Sequence, residues 1–302
     1  MITHDTEAFL RFARGLPADA PACPKAVFLV APEGFALAVE SASDNRYMDM
    51  ARSVDGERAL AQHRGLQRAL AASLPTIAFA GDPATPDAVF PNNVFATAPG
   101  RVLIARMRHP VRRREAERAD IRGFFTDALG YELHDLRLKE GVGELTGSLV
   151  IDRAHRLGFC GLSERCDQAG ALAMHEAFGL RATLLFDLAP GEYHANVVLS
   201  VLAGRAVSIC ADGFADPAVV ETIAALYAPN AIRLDPAEKQ AFAGNCIAPT
   251  ADTVWMSHAA AEALQPSSRT AFERAGFALR SVALDELEKA GGSLRCCVGE
   301  IY

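Results

Sequence analysis

The clearest candidate for a reactive side chain is a cysteine near the end of the chain. Cys296 follows the glycine pair Gly291-Gly292 and stands directly after Arg295. Glycines allow turns that other residues avoid and let a ligand approach the main chain, and a neighbouring arginine favours the nucleophilic thiolate. A cysteine taken alone is more often a small buried core residue. Cys297 is the rival nucleophile, but successive side chains of an extended segment point to opposite faces, so only one of the two faces a site.

Two other segments supply a base and a carboxylate for such a nucleophile. Glu144 follows Gly143 at a tight turn, and His194 precedes the apolar run 197–201. A nucleophile, a base and an orienting carboxylate are the minimum for covalent catalysis, and they need only be neighbours in space. Considered alone, His194 is equally consistent with a core histidine that is hydrogen-bonded to a carbonyl, and Glu144 is consistent with a surface acid in a turn. Their joint occurrence beside glycines and strand ends favours a catalytic group.

A polar segment with apolar flanks is the next candidate, and it runs Asp87-Ala88-Val89-Phe90-Pro91-Asn92-Asn93-Val94-Phe95. Two asparagines after a proline usually mark a turn. Here Val and Phe stand on both sides, so the amides of Asn92 and Asn93 need hydrogen-bond partners in partly apolar surroundings. The segment therefore predicts contact with a polar ligand.

Arginines are concentrated between positions 101 and 122, at Arg101, Arg106, Arg108, Arg112, Arg113, Arg114, Arg118 and Arg122. Acidic residues are interleaved and no aromatic residues alternate with them, which favours a solvated helix face over a nucleic-acid site. One or two of these side chains, or Arg165 further along, remain candidates for holding a carboxylate with a bidentate fork.

The bulk composition predicts a globular protein that acts on a small molecule. The chain has 302 residues, is 50% hydrophobic and carries a net charge of -7, so it can bury a large core and has no overall attraction for phosphate backbones or anionic lipid. No apolar stretch is long enough for a membrane helix and no secretion signal is visible, which favours a cytoplasmic location. The seven cysteines fit neither a disulfide framework nor a zinc site.

Short apolar runs alternate with helical periodicity along the chain. Strands are predicted at 26–30, 76–79, 102–105, 148–151, 157–160, 183–186, 197–201, 206–209 and 253–257. Helices are predicted at about 55–73, 110–125, 167–179, 216–227, 236–242, 259–275 and 284–290. Roughly five blocks of one helix and two or three strands result. With no linker in between, we expect a single α/β domain over 1–302, with 1–25 as an N-terminal extension.

Five blocks, in order, resemble the guanidine-modifying enzyme superfamily, the five-bladed α/β propeller or pentein proteins, and the citrulline-utilisation hydrolases most closely. The blocks are Phe90-Pro91-Asn92-Asn93, Glu144 to Val150, Tyr193-His194, Phe242-Ala243-Gly244-Asn245 and Gly292-Ser293-Leu294-Arg295-Cys296. The resemblance covers about 26–302. It implies that Cys296 is the nucleophile, His194 the general acid and base, and Glu144 an acid that hydrogen-bonds the substrate nitrogen.

The resemblance also implies a substrate-binding set that comprises Asp87, Phe90, Asn92, Asn93, Arg112, Arg165 and Asn196. Asp87, Asn92 and Asn93 stand where the dimethylarginine branch has the acids that grip its substrate. Arg112 and Arg165 match arginines that bind the carboxylate or backbone of an amino acid.

Departures from the family pattern bear on the substrate. Asn92, Asn93 and Asn196 are neutral where arginine deiminases carry acids, and burying a cation without carboxylates is costly. A neutral ureido group, as in citrulline, is favoured on this ground. Val94 and Ala98 replace a Trp and a His that are usual in the citrulline group, which leaves a related substrate open.

The predicted function is hydrolysis of a C–N bond in the ureido or guanidino group of a citrulline-like or arginine-like amino acid, through a covalent cysteine intermediate. It requires no metal or other cofactor. The alternatives are a dimethylarginine dimethylaminohydrolase, an arginine deiminase, an amidinotransferase, or an amino-acid-binding protein without turnover. We expect a small-molecule partner and neither nucleic acid nor membrane; the sequence leaves a homodimer open.

Overall fold

The computed structural model describes residues 1–302, which form fifteen strands and thirteen α-helices. The strands are β1 Ile2–Thr3, β2 Ala26–Val30, β3 Thr76–Phe79, β4 Phe95–Ala98, β5 Arg101–Ile104, β6 Glu132–Asp135, β7 Leu149–Asp152, β8 Leu157–Leu162, β9 Ala182–Asp187, β10 Leu199–Leu202, β11 Ala206–Cys210, β12 Ala231–Leu234, β13 Thr253–Ser257, β14 Ala278–Val282 and β15 Gly299–Ile301. The helices are α1 Thr6–Ala13, α2 Val39–Ala42, α3 Gly56–Ala71, α4 Pro110–Arg113, α5 Ala119–Gly123, α6 Leu145–Ser148, α7 Gln168–Phe178, α8 Ala195–Val198, α9 Pro217–Leu226, α10 Pro236–Gln240, α11 His258–Ala263, α12 Pro266–Arg274 and α13 Asp285–Glu288.

The strands are divided among five small sheets. Sheet 1 has the order β15-β2-β3, sheet 2 β4-β5-β6, sheet 3 β1-β9-β8-β7, sheet 4 β10-β11-β12 and sheet 5 β13-β14. In sheets 2, 3 and 4 an antiparallel hairpin is followed by a helical connection and a parallel strand. Sheet 1 has the same pattern, with the C-terminal β15 in the place of the first strand. In sheet 5 an antiparallel bridge from Ile247 to Trp255 takes that place.

Aspartates fix the starts of several helices. The side chains of five of them accept a hydrogen bond from a backbone N–H of the first turn of α1, α3, α7, α9 and α10, which satisfies one of the donors a helix start leaves unpaired. These residues are Asp5, Asp55, Asp167, Asp216 and Asp235.

Adjacent sheets share their apolar cores. One cluster joins sheets 1, 2 and 3 and includes Phe28, Leu103 and Leu149. A second joins sheets 3 and 4, a third joins sheets 4 and 5, and a fourth packs residues of sheet 5 against sheet 1. Hydrophobic contact therefore runs from each sheet to the next in chain order and returns to the first.

Three sequence expectations need correction. The helix expected at 110–125 is broken into α4, a 3-10 turn and α5, because Arg118 has a ψ of 99° that no helix accommodates. The helix expected at 259–275 is two helices, α11 and α12. Gln265 precedes Pro266, the first residue of α12, and has an extended conformation, which residues before proline favour. The strand expected at 197–201 begins as the short helix α8 and becomes β10 only at Leu199.

The structure also contains six strands that the apolar runs do not predict, namely β1, β4, β6, β12, β14 and β15. Most of these are edge strands or carry charged residues, so their apolar signal is weak. No helix is long and apolar enough to cross a membrane.

Candidate active site

The candidate residues lie in turns that precede the first strand of each sheet. Asn92, Thr146, Asn196 and Cys296 each stand three residues before the strands β4, β7, β10 and β15. Asn245 stands two residues before Ile247, which bridges to sheet 5. Each sheet thus contributes one residue from an equivalent turn, although the residues are about fifty positions apart in the chain.

Hydrogen bonds join these turns one after another. Thr146 Oγ1 donates to the carbonyl of Asn92 (3.0 Å), Asn196 Nδ2 to the carbonyl of Thr146 (3.1 Å), and Asn245 Nδ2 to the carbonyl of Asn196 (2.8 Å). The backbone N–H of Arg295 then donates to the carbonyl of Asn245 (3.2 Å). This series, called the hub below, brings the five turns together in the middle of the molecule.

His194 and Glu144 form a buried pair beside the hub. The distance from Nε2 to Oε2 is 2.9 Å and both side chains are 0% exposed. Burial alone would raise the pKa of Glu144, but Arg165, 3.6 Å away, and His194 outweigh it and lower the pKa to about 2. Burial lowers the pKa of His194. The pair is therefore a carboxylate with a neutral imidazole, whose Nε2–H donates to Glu144.

The other ring nitrogen of His194 has no hydrogen-bond partner in the protein. Nδ1 faces Gly147, where an added Cβ would lie 2.8 Å from Nδ1 and 2.6 Å from Oδ1 of Asn93. The Oδ1 atoms of Asn92 and Asn93 are also buried without partners. A neutral histidine that donates through Nε2 accepts through Nδ1, so a basic nitrogen and two acceptor oxygens are free for a ligand here.

Cys296 lines a small cavity next to this group. The cavity is lined by Ser41, Asn45, Asp87, Phe90, Asn93, Arg112, Arg165, Tyr193 and Cys296. The thiol itself is 1% exposed. Burial raises the pKa of Cys296, while Asn245 and Arg295 act in the opposite direction.

The environments of the two neighbouring cysteines differ. Cys297 belongs to the apolar cluster between sheets 5 and 1, and burial raises the pKa of its thiol well above the usual value. Cys296 alone of the pair has amide groups near its sulfur, from Asn245 at 3.3 Å and Asn196 at 3.8 Å.

The sequence predicts that Arg295 favours the thiolate, and in the structure its guanidinium turns away from the sulfur. It bonds Glu300 (3.1 Å) and the carbonyl of Val298 (2.9 Å), and Arg295 and Glu300 line a different cavity from the one that Cys296 lines. Its charge is therefore largely matched by Glu300, and it acts on the sulfur only at a distance.

The two arginines that the sequence assigns to carboxylate binding are buried, and both are occupied by protein partners. Arg112 forms a bidentate pair with Glu115 (2.5 and 2.9 Å) and donates to the carbonyl of Phe90. Arg165 uses Nε and Nη2 to hold Asp44 (3.0 and 2.6 Å). Both line the cavity, so only their remaining N–H groups are available to a ligand.

Asp87 is a buried carboxylate of a different kind. It lines the cavity, is 2% exposed and accepts a hydrogen bond from Ser41 Oγ (2.5 Å). No lysine, arginine or histidine lies within ion-pair distance of it, as the ion pairs of the structure show. A buried carboxyl group without an ion-pair partner within 4 Å is suited to binding a cationic group.

Sequence reasoning missed four residues at the site: Ser41, Asp44, Asn45 and Tyr193 as a lining residue. The first three lie in a polar segment with no periodicity or motif. Tyr193 was visible only as the neighbour of His194. Its ring stacks on that imidazole at 4.5 Å between centroids, and the Arg165 guanidinium lies 5.0 Å from its centroid. Nowhere do three or more Asp, Glu, His or Cys side chains converge so that they could hold a metal ion.

Solved structures share this fold. The chain superimposes with a TM-score of 0.80 on ArgZ, described as an arginine dihydrolase of the ornithine-ammonia cycle in Cyanobacteria, at 19% identity. The match covers 91% of this chain and 40% of ArgZ, so the chain spans less than half of that protein. The N-terminal domain of ArgZ bound to substrate gives 0.79 at 19% identity, with 91% of this chain and 97% of that domain covered.

A dimethylarginine dimethylaminohydrolase variant in an adduct with S-methyl-L-thiocitrulline gives a TM-score of 0.71 at 21% identity, covering 92% of this chain and 100% of the other. The molecule therefore shares the mixed α/β fold of this class of solved enzymes.

Sequence comparison narrows this class to a family. The N(G),N(G)-dimethylarginine dimethylaminohydrolase of Mycobacterium tuberculosis is 28% identical over 304 residues, 98% of this chain and 93% of that protein. A family profile described as N,N dimethylarginine dimethylhydrolase, eukaryotic, matches residues 31–302. The chain belongs to this family.

Proposed function

We propose that this protein hydrolyses a C–N bond in the guanidino group of an arginine-like amino acid through a covalent intermediate on Cys296. The observation that carries the proposal is the arrangement of His194, whose Nε2 is held by ionised Glu144 while Nδ1 is without a partner near Asn93, which lines the same cavity as Cys296. The family membership and the relatives named above support the same chemistry.

The first half of the reaction forms a C–S bond and breaks a C–N bond. The thiol proton passes to Nδ1 of His194, and the Cys296 sulfur attacks the planar guanidino carbon. The imidazolium returns that proton to the departing nitrogen, which leaves as an amine. Glu144 stabilises the imidazolium while it exists, and acid and base assistance of this kind contributes about 10²- to 10⁴-fold.

The second half releases the product. His194 is neutral again and deprotonates a water molecule that adds to the S-linked carbon. Collapse of this adduct breaks the C–S bond, and the imidazolium returns its proton to the departing Cys296 thiolate. The adduct's hydroxyl loses its proton to solvent as the carbonyl of the ureido product forms. The net change is one water consumed and one amine released for each guanidino group.

A guanidino substrate is favoured by Asp87, since a buried carboxylate without an ion-pair partner matches a guanidinium better than a neutral ureido group. The free Oδ1 atoms of Asn92 and Asn93 would accept N–H groups of the same substrate. A ureido substrate such as citrulline is the second candidate. It is favoured by the neutral asparagines where arginine deiminases have acids, because a ureido group requires no second anion.

We also propose that the five sheets are the blades of one five-bladed α/β propeller over residues 1–302. The proposal is supported by the cyclic series of shared cores, the hub in which each sheet contributes one turn, and the pairing of the C-terminal β15 with β2.

Turnover assays with two matched serine variants test the function. Wild type is incubated with L-arginine, Nω-methylated arginines and L-citrulline, and ammonia and methylamines are measured. We expect Cys296→Ser to reduce turnover by at least about 10³-fold, because an alcohol is a far weaker nucleophile than a thiolate here. Cys297→Ser should stay within about threefold of wild type. Release of amine by Cys296→Ser at the wild-type rate would refute the mechanism.

A further inference from the structure

Asn245 contacts both the side chain and the backbone of the nucleophile. Its Nδ2 lies 3.3 Å from the Cys296 sulfur and 2.8 Å from the carbonyl of Asn196. Its Oδ1 accepts from the backbone N–H of Cys296 (3.4 Å), and its carbonyl accepts from the N–H of Arg295 (3.2 Å). It is fully buried, at 0% exposure.

The partners of Asn245 fix the orientation of its amide. The carbonyl of Asn196 only accepts and the N–H of Cys296 only donates, so Nδ2 must face the former and Oδ1 the latter. The opposite orientation would place two acceptors 2.8 Å apart. An N–H group of Asn245 is therefore directed at the sulfur by the fold and not by chance.

Other groups around Cys296 do not replace this donor. Asn196 is more distant, with Nδ2 3.8 Å and Oδ1 3.9 Å from the sulfur, and Arg295 is bonded to Glu300. The remaining titratable or charged groups that line the cavity or act on the sulfur are Asp87, Arg112, Arg165, Tyr193 and Cys297. The structure gives none of these a hydrogen bond to the sulfur.

We propose that Asn245 is a further catalytic residue, whose amide N–H donates to the Cys296 sulfur and stabilises the thiolate as it forms for attack and as it departs from the product. The proposal rests on the function proposed above. A thiolate buried at 1% exposure has little access to water, so a fixed donor inside the protein must replace hydration. Asn245 is thereby the one candidate catalytic residue that the turn before sheet 5 contributes.

The test compares Asn245→Asp and Asn245→Ala by the pH dependence of Cys296 alkylation with iodoacetamide, located by mass spectrometry in a Cys297→Ser background. Aspartate keeps the shape of the side chain and an acceptor for the Cys296 N–H, but it replaces the donor with an acceptor. Alanine removes both. The midpoint of the alkylation profile reports ionisation of the thiol and requires no substrate.

We expect the midpoint to rise by about one pH unit in Asn245→Ala and further in Asn245→Asp, which lowers labelling at neutral pH by at least about tenfold. A purely structural role predicts the opposite ranking, because aspartate disturbs packing less than alanine does. Equal midpoints in wild type and Asn245→Asp, or a smaller shift in Asp than in Ala, would overturn the proposal. If Asn245→Ala does not fold, the comparison of Asn245→Asp with wild type decides alone.

Asn230→Ala is the matched control, since Asn230 also donates its amide to a main-chain carbonyl, that of Arg205 (3.2 Å), away from the cavity. Its midpoint should equal that of wild type. Failure of the proposed function would be a separate result, in which wild type releases no amine from any substrate. The ranking of the alkylation midpoints would still show whether Asn245 stabilises the thiolate.

Discussion

His194 uses its two ring nitrogens for different tasks. Nε2 is committed to Glu144 at 2.9 Å, and Nδ1 is the free nitrogen beside Asn93 and Gly147. A carboxylate that holds one nitrogen of an imidazole fixes its tautomer and stabilises the protonated form. Glu144 therefore decides which ring nitrogen is left without a partner, and the missing side chain of Gly147 leaves the space next to that nitrogen.

Gly147→Ala tests this geometry. The added methyl group would lie within 2.8 Å of Nδ1 of His194 and 2.6 Å of Oδ1 of Asn93, so both side chains would have to move. We expect turnover to fall by about 10²-fold or more, since a displacement of about 1 Å in a catalytic group has effects of this size. Steady-state kinetics measure it, with Gly65→Ala on α3 as the control, where an added Cβ meets no atom within 4 Å. Equal losses in both variants would contradict the interpretation.

Glu144→Gln tests the charge of the buried carboxylate through the stability of the protein. Burial opposes ionisation, but Arg165 and His194 bring the pKa of Glu144 from its usual 4.5 to about 2. Because the pKa is lowered in the folded state, the ionised group adds stability above about pH 4.5, and this stability is lost as the pH falls towards about 2. The shift corresponds to a free energy of unfolding on the order of 3 kcal/mol.

Urea denaturation at several pH values between about 6 and 2.5 measures this effect. The free energy of unfolding of wild type should fall more steeply on acidification than that of Glu144→Gln. Parallel curves for the two proteins would show that Glu144 is not ionised in the folded state.

At the scale of elements, the segment that contains α2 forms one wall of the cavity. Asp44 accepts from Arg165 and from His109 Nε2 (3.0 Å), and Arg108 lies 3.4 Å away. Burial opposes ionisation of Asp44, yet Arg165 and His109 outweigh it and lower the pKa. Ser41 of the same segment bonds Asp87. One surface segment thus orients an arginine and a carboxylate of the site.

Asp44→Asn should affect substrate binding more than the chemical step. Both bonds from Arg165 end on Asp44 Oδ1, so asparagine keeps an acceptor but loses the negative charge. The weaker hold changes the position of Arg165 relative to the cavity. We expect KM to rise about tenfold while kcat stays within about threefold. This pattern results when the lost interaction stabilises the bound substrate and the transition state equally. Asp49→Asn in the same segment, where Asp49 bonds only the nearby backbone N–H of Ala51, is the control. A loss confined to kcat would assign Asp44 to the chemistry instead.

At the scale of the whole molecule, the sheets are joined twice, by apolar cores near their strands and by the hub at the centre. The end of the chain takes part in both, since β15 completes sheet 1 and Cys296 belongs to the hub. Thr97 of sheet 2 donates to the carbonyl of Glu300 and accepts from the N–H of Tyr302 (both 2.9 Å). Unfolding of any one sheet would therefore break its contacts with two neighbouring sheets.

Unfolding should therefore be a single cooperative transition. Trp255, the one tryptophan of the chain, lies in β13 of sheet 5 and reports on that sheet by fluorescence, whereas far-ultraviolet circular dichroism reports on all elements. We expect the two urea transitions to coincide, as in an all-or-none process. Separate midpoints would indicate that sheet 5 unfolds as an independent unit and would contradict the proposal of one domain.

The sequence by itself determined the types of the reactive residues and the turns that carry them. Glycines, prolines and asparagines act on the local backbone, so the segments around Glu144, His194 and Cys296 could be predicted as turns beside strands. The five motif blocks in their order also indicated the superfamily, with the citrulline-utilisation group placed first and the dimethylarginine enzymes among the alternatives.

The tertiary structure alone decided which atoms meet. Asp44 and Arg165 are 121 positions apart and Asn245 and Cys296 are 51 positions apart, and no sequence pattern links the members of either pair. Glu144, 50 positions away, binds Nε2 of His194, and this bond determines that Nδ1 is the ring nitrogen without a partner. Local propensity is set by neighbours along the chain, whereas these contacts arise from the packing of separate sheets, to which most of the chain contributes at once.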